Sequence, residues 1–167
     1  MRQKRTLPHN TVRESVILFT VAGFRFAMAA SAVSEIRSAQ GLDLFYGGNR
    51  HKATAKVAYT LERNGVTHFV VSVGRHFHLP SSTSTRVLIL RHTAVALLVD
   101  NTDRMIEISV LHALPRAFAG DERTWYRGLA IVNGDAIPVV NPAAFLSRGE
   151  VAVLRAMTPP MQRAVAG

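Results

Sequence analysis

Val16-Ile17-Leu18-Phe19, followed by Gly23, Phe26-Ala27-Met28 and Glu35-Ile36, recurs further along the chain as Val87-Leu88-Ile89-Leu90, Ala94, Leu97-Leu98-Val99 and Glu107-Ile108. Short apolar runs rich in β-branched and aromatic residues, broken by a small-residue turn, are the pattern of paired strands. A second feature repeats behind them: Asn64-Gly65 leads to Val70-Val71-Ser72, and Asn133-Gly134 leads to Val139-Val140-Asn141, an offset of 69 residues (133 − 64). Solenoid repeats run about 20 to 50 residues. The longer period here describes one β unit written twice.

Outward from these runs, residues 16–21 predict a strand, Ala22-Gly23 its turn and residues 24–28 its partner. Residues 29–39 read either as a short helix or as further extended chain, and residues 40–56 hold neither period and read as a basic loop. Residues 57–61 and 66–73 flank Asn64-Gly65, the pair that supplies both positive φ angles of a type I′ hairpin turn. A Ser/Thr linker, residues 81–85, precedes the second copy. There residues 86–90 pair with 94–100, residues 104–109 follow, 111–121 form a loop, and 125–132 and 136–140 form the last hairpin around Asn133-Gly134. Asn141-Pro142 opens a short helix to Leu146, and residues 150–157 show weak helical periodicity that Pro159-Pro160 stops. The expected organisation is a flexible basic arm over residues 1–14, a domain over 15–147 of two intertwined β-barrel subdomains with copies at about 16–80 and 87–147, and a partly helical tail over 148–167. Many short strands between turns point to an all-β fold. The duplication makes it two small sister β-barrels packed together, with short helices between strands and at the C-terminus and a groove between the barrels as a docking place.

At 167 residues with 48% hydrophobic content the chain can bury a shared core. It has no cysteine, which removes disulfides, thiolate zinc sites and cysteine nucleophiles and suits a reducing compartment. Arg13 and Glu14 interrupt the approach to Val16, so no apolar signal-peptide core follows the basic N-terminus, and no apolar run approaches the ~20 residues a membrane helix needs. A soluble, cytoplasmic protein without membrane insertion is expected. The net charge of +9 is unevenly spread. Residues 1–13 hold four cations and no acid, residues 37–91 hold eight cations against Asp43 and Glu62, and residues 92–147 hold four cations against six acids. The first copy is basic and the second is not, and arginine outnumbers lysine 17 to 3.

Catalytic chemistry has little to stand on. No phosphate-binding G-x-x-x-x-G-K-[ST] loop, no G-x-G-x-x-G turn and no G-x-S-x-G elbow occurs, so no cofactor and no small-molecule substrate is expected. His76-Phe77-His78 would set two imidazoles on one face of a strand, with His51, His68 and His92 in the same half, but neither H-E-x-x-H nor a cysteine partner completes a metal site. Asp100 and Asp103 bracket a turn and read as turn formers. Phe45 and Tyr46 lie inside the basic loop, the pairing of rings and cations that single-stranded nucleic acid uses, yet they are adjacent and no RNP-like motif accompanies them. Nucleic acid is not the expected partner.

Taken in order, these motifs resemble the CheW-like domain, the coupling protein of bacterial chemotaxis arrays. The family begins with an apolar strand ending in Phe, a glycine turn, a second strand and a V-x-E-I element; here these read Val16 to Phe19, Gly23, Phe24 to Met28 and Val33-Ser34-Glu35-Ile36. Val87 to Leu90, Ala96 to Asp100, Leu114-Pro115, Tyr126-Arg127-Gly128-Leu129, Ile137-Pro138-Val139-Val140 and Phe145-Leu146 continue in family order, covering about residues 14–147. The resemblance implies a non-enzymatic adaptor of two small β-barrels that binds the regulatory domain of a chemotaxis histidine kinase and the cytoplasmic tip of a chemoreceptor. By the same resemblance Val33, Glu35 and Ile36 would lie in or beside the partner surface, and Arg63, Asn64 and Gly65 near the family's N-L-R-G element. There the chain departs: the arginine is displaced by one, and the family's later Pro and Asp are Phe69 and Ser72. An alternative function is a divergent basic β-barrel module binding an acidic protein or nucleic acid.

Overall fold

The computed structural model describes residues 9–45 and 55–158. Among these residues eleven strands dominate: β1 (His9–Val21), β2 (Phe24–Ala29), β3 (Val33–Ser38), β4 (Asp43–Leu44), β5 (Val57–Arg63), β6 (Val66–Ser72), β7 (Arg86–Leu90), β8 (Val95–Val99), β9 (Asn101–His112), β10 (Tyr126–Val132) and β11 (Asp135–Val140). Helices are short: α1 (Val73–His76), α2 (Glu122–Trp125) and α3 (Arg148–Met157), with 3-10 turns at Ala30–Ala32 and Pro142–Ala144. The all-β expectation and both Asn-Gly hairpins hold. Asn64 and Gly65 have φ of 52° and 74°, and Asn133 and Gly134 have 51° and 85°, the two positive values a type I′ turn demands.

The sequence copies are not the structural units, however. One closed barrel runs β1-β2-β11-β10-β9, and a six-stranded sheet runs β3-β7-β8-β6-β5-β4, so each takes strands from both copies. Only three residues separate β2 from β3, and one residue, Asp100, separates β8 from β9. At both points the chain crosses into the other sheet. The exchange is reciprocal: β11 joins β2 in parallel at Val139 and Ala27, as β6 joins β8 at Val70 and Ala96. Of the two expected sister barrels the first is closed, while in the second no ladder joins β3 to β5 or β4 among the described residues and the sheet stays open there.

Alternation along the strands then builds three apolar layers. On β1, Val16 and Leu18 point into the barrel with Ala27, Ile108, Ala130, Ile137 and Val139, while Phe19 and Val21 point out of it. On β7, Val87 and Ile89 fill the concave side of the second sheet, while Leu88 and Leu90 face the barrel. Phe19, Met28, Phe69, Leu88, Leu97, Phe145 and Leu154 thus form the largest core between the two sheets. Strands covered on both faces read as unbroken apolar runs, which is why residues 16–19 and 87–90 carry no polar alternation. Helix α3 closes that core with Leu154, held by a capping box in which Glu150 N–H donates to Ser147 Oγ (3.1 Å) and Ser147 N–H to Glu150 Oε2 (2.8 Å).

Two local expectations fail for local reasons. Residues 9–14, read as part of a flexible arm, belong to β1 and pair along β9 as far as His112, because β9 is long enough to extend the ladder; Glu14 also holds Arg127 Nη1 at 2.7 Å. His76-Phe77-His78 is not a strand, since the Ser72 hydroxyl accepts from Arg75 N–H (3.3 Å) and starts the helical turn α1, after which His78 takes φ +54°.

Candidate functional site

Strand β3 pairs antiparallel with β7, with an irregularity between Val33 and Glu35 that resets which side each residue faces. Val33 pairs with Leu90, Glu35 with Ile89 and Ile36 with Leu88. Directly paired residues point to the same side of a sheet. Val33 and Ile36 therefore share the face of Leu88 and Leu90, which is the face turned toward the barrel. Val33 is buried there and belongs to the core, so it is removed from the accessible candidate surface. Ile36 lies beyond the cover of the barrel and is 43% exposed.

Glu35 and Arg37 share the opposite side, that of Val87 and Ile89. Arg37 Nε donates to Glu35 Oε1 at 2.6 Å, and Arg63 Nε stands 2.9 Å from Glu35 Oε2. Arg63 Nη1 reaches the Ser34 hydroxyl at 3.5 Å, while that hydroxyl donates to the Ile89 carbonyl. The Arg37 hydrogen bond, the largest effect, is opposed by desolvation and joined by the fields of Arg37 and Arg63 and the Arg63 hydrogen bond, and together these hold the Glu35 carboxyl below the usual carboxylate range. These contacts span β3 and β5 where the ladder is missing. Arg63 ends β5, and Asn64 and Gly65 form the exposed tip of its turn.

The structure thus brings Glu35 and Arg63 together and sets the Asn64-Gly65 tip directly behind Arg63. Sequence reasoning missed Arg37, whose two-residue spacing from Glu35 on one strand was the available signal, and Val66, which follows the turn and is 44% exposed. Among the departures from the N-L-R-G element, Phe69 is wholly buried in the intersheet core and Ser72 caps α1. Phe69 serves the packing of the core and Ser72 the start of α1.

The remaining sequence candidates are structural. Asp100 accepts from Ala22 N–H (2.7 Å) with Oδ2 and from the hydroxyls of Ser82 (2.9 Å) and Ser84 (3.0 Å) with Oδ1, tying the β1–β2 turn and the Ser/Thr linker to the end of β8. His76 is buried among Phe77, Trp125 and Phe145, and His68 Nδ1 lies 3.1 Å from the Val66 carbonyl. No group of three metal-ligating side chains occurs among the described residues. Phe45 packs edge-on against Phe69 at 6.1 Å, while Tyr46, Arg50, His51 and Lys52 of the basic loop lie outside the described residues.

Two sheets exchanging strands around a common core, with a surface of paired charges, exposed apolar side chains and turns, define a duplicated β scaffold. The CheW-like domain family model matches residues 15–150, and the chain belongs to that family of chemotaxis scaffold domains. In structure it is similar to the scaffolding protein TtCheW from Thermoanaerobacter tengcongensis, at 13% identity and a TM-score of 0.65, with 83% of this chain and 96% of that one covered. At that identity the likeness concerns the fold. No curated protein matches the chain in sequence. No helix among the described residues is long and apolar enough to cross a membrane.

Proposed function

We propose that this chain is a cytoplasmic coupling adaptor, without chemistry of its own, that joins the regulatory domain of a chemotaxis-type histidine kinase to the cytoplasmic tip of a chemoreceptor. The observation that carries the proposal is Ile36, a large apolar side chain held half-exposed at the rim of the intersheet layer beside the Glu35–Arg63 pair. An apolar anchor surrounded by charges already paired with one another is the composition of a binding hot spot with a polar rim. Asn64, Gly65 and Val66 extend that surface at the tip of the β5–β6 turn. The membership in a scaffold family supports the same reading.

The test is a pull-down of the purified protein with the kinase regulatory domain and the receptor tip of its own cell at two salt concentrations. Retention of both at high salt is the expected result. Retention of the kinase alone would assign the altered 64–72 region to a lost receptor contact. Loss of both, with salt-sensitive binding to heparin, would replace the proposal with the basic-module alternative.

A further inference from the structure

An aromatic cleft beside the β1–β2 turn has no part in the coupling surface. Phe26 and Phe77 stack at 5.1 Å, Phe77 stacks on Tyr126 at 5.5 Å, and Phe118 meets Tyr126 edge-on at 5.8 Å. Trp125 lies 5.4 Å from Phe77, and Phe24, 54% exposed, stands at the rim. The cleft has a volume of about 490 Å³, within the range of small-molecule sites. Two carboxylates, Glu122 and Asp135, line it. Among the described residues Arg25 is the one cation in the lining, held by Asp135 at 3.6 Å, and Glu122 has no ion pair. The Tyr126 hydroxyl is pushed up to about 12, first by burial and then by the charge of Glu122, so that carboxylate acts within the cleft.

We propose that this cleft binds a small alkylated ammonium ion. Ring faces carry negative quadrupole charge and attract cations; Phe26 and Phe77 spend their faces on the Phe19–Phe26–Phe77–Tyr126 stack, so exposed Phe24 and partly exposed Trp125 are the rings left to meet one. Walls of this kind cannot replace the hydration shell of sodium or of plain ammonium. An alkylated ammonium keeps little hydration to lose, fills apolar space with its methyl groups, and leaves its charge for Glu122 and the rings.

Trp125 is the only tryptophan of the chain and lines the cleft, so it reports occupancy directly. The full-length protein is titrated with tetramethylammonium and choline chlorides, with sodium and ammonium chlorides at equal ionic strength, and with 3,3-dimethylbutan-1-ol, the uncharged counterpart of choline. The expected result is a saturable fluorescence change for the two alkylated cations alone, weakened about tenfold by Phe24→Ser or Glu122→Gln. Phe24 is exposed, so its replacement leaves the core intact, and Ile36→Asp should leave cation binding unchanged. A linear response matching sodium chloride would overturn the proposal. So would equal binding of the neutral alcohol, or a Phe24→Ser variant that binds as the parent does.

Discussion

Arg63 Nε lies 2.9 Å from Glu35 Oε2 across the gap between β3 and β5, and this ion pair joins the two strands at a place where no backbone ladder does. Glu35 is shared with Arg37, which takes the other carboxylate oxygen, Oε1. Because the folded carboxyl titrates below its ordinary value, the contribution of the pair is fully present above the unfolded carboxylate pKa near 4.5 and is lost as pH falls through the lower folded value. Glu35→Gln should therefore flatten the acid limb of the urea midpoint between neutral pH and pH 3. At neutral pH and 1 M salt the parent should approach the variant, since a pair at the surface is screened. An unchanged acid limb in Glu35→Gln would remove the pair from the folding equilibrium.

Gly128 decides whether the barrel closes. It sits where β10 meets β9 through the single pair Leu129 and His112, and a Cβ at this position would run into the His112 carbonyl and lie 2.8 Å from Leu111 Cγ. Backbone and a packed leucine cannot both give way. Gly128→Ala should destabilise the protein by about 2–4 kcal/mol, measured by urea denaturation, with hydrogen-exchange protection lost first along β9 and β10. A cost below about 0.5 kcal/mol would mean that the barrel tolerates opening at this seam.

The apolar runs 16–19 and 87–90 and the two Asn-Gly turns were legible because each is fixed by neighbours in sequence. Intertwined subdomains were expected too, but which strands cross was not legible, since that is fixed by parallel contacts between residues as distant as Ala27 and Val139. For the same reason Val33 and Ile36 could not be told apart beforehand. Three residues apart on one strand, they would face opposite sides of a regular pleat, and the irregularity at Ser34 turns them to the same side. Burial by the barrel then separates their roles. The Glu35–Arg63 contact joins residues 28 positions apart whose strands share no ladder, and no local pattern announces it.

His76 makes the core sensitive to mild acid. Its ring is packed among Phe77, Trp125 and Phe145, its Nε2 meets no polar partner among the described residues, and burial first, then Lys56 and His78, pushes its pKa down to about 4. The unfolded chain binds this proton near pH 6.5, so stability is complete above that value and falls as pH drops from 6.5 toward 4. The loss should reach about 2 kcal/mol after allowance for partial solvent access. His76→Phe should abolish it in melting experiments at pH 7, 5.5 and 4. An identical slope in the variant would place the acid sensitivity elsewhere.

Asp100 ties three segments together through one carboxylate. Asp100→Ala removes the acceptor of the Ala22 amide and of both serine hydroxyls, and should cost about 2 kcal/mol. Asp100→Asn keeps one carbonyl oxygen and should cost about half as much. Equal losses in the two variants, read from urea midpoints, would show that charge rather than acceptor count sets the contribution.

Ile36 and Val33 separate binding from folding. Both face the intersheet side of β3, yet Val33 is buried in the common core and Ile36 is 43% exposed at its rim. Val33→Asp forces a charge into that core and should unfold the protein, because an uncompensated buried carboxylate costs several kcal/mol. Ile36→Asp places the charge in water and should shift the urea midpoint by less than about 0.5 kcal/mol. At an interface the same aspartate must be desolvated against apolar surface, so partner affinity should fall at least about thirtyfold, the loss of a strong anchor. Circular dichroism establishes the fold and titration calorimetry against the kinase regulatory domain and the receptor tip measures the affinity. A folded Ile36→Asp protein that binds both as tightly as the parent would exclude this rim from the interface, and an unfolded one would show that the barrel covers Ile36 in solution.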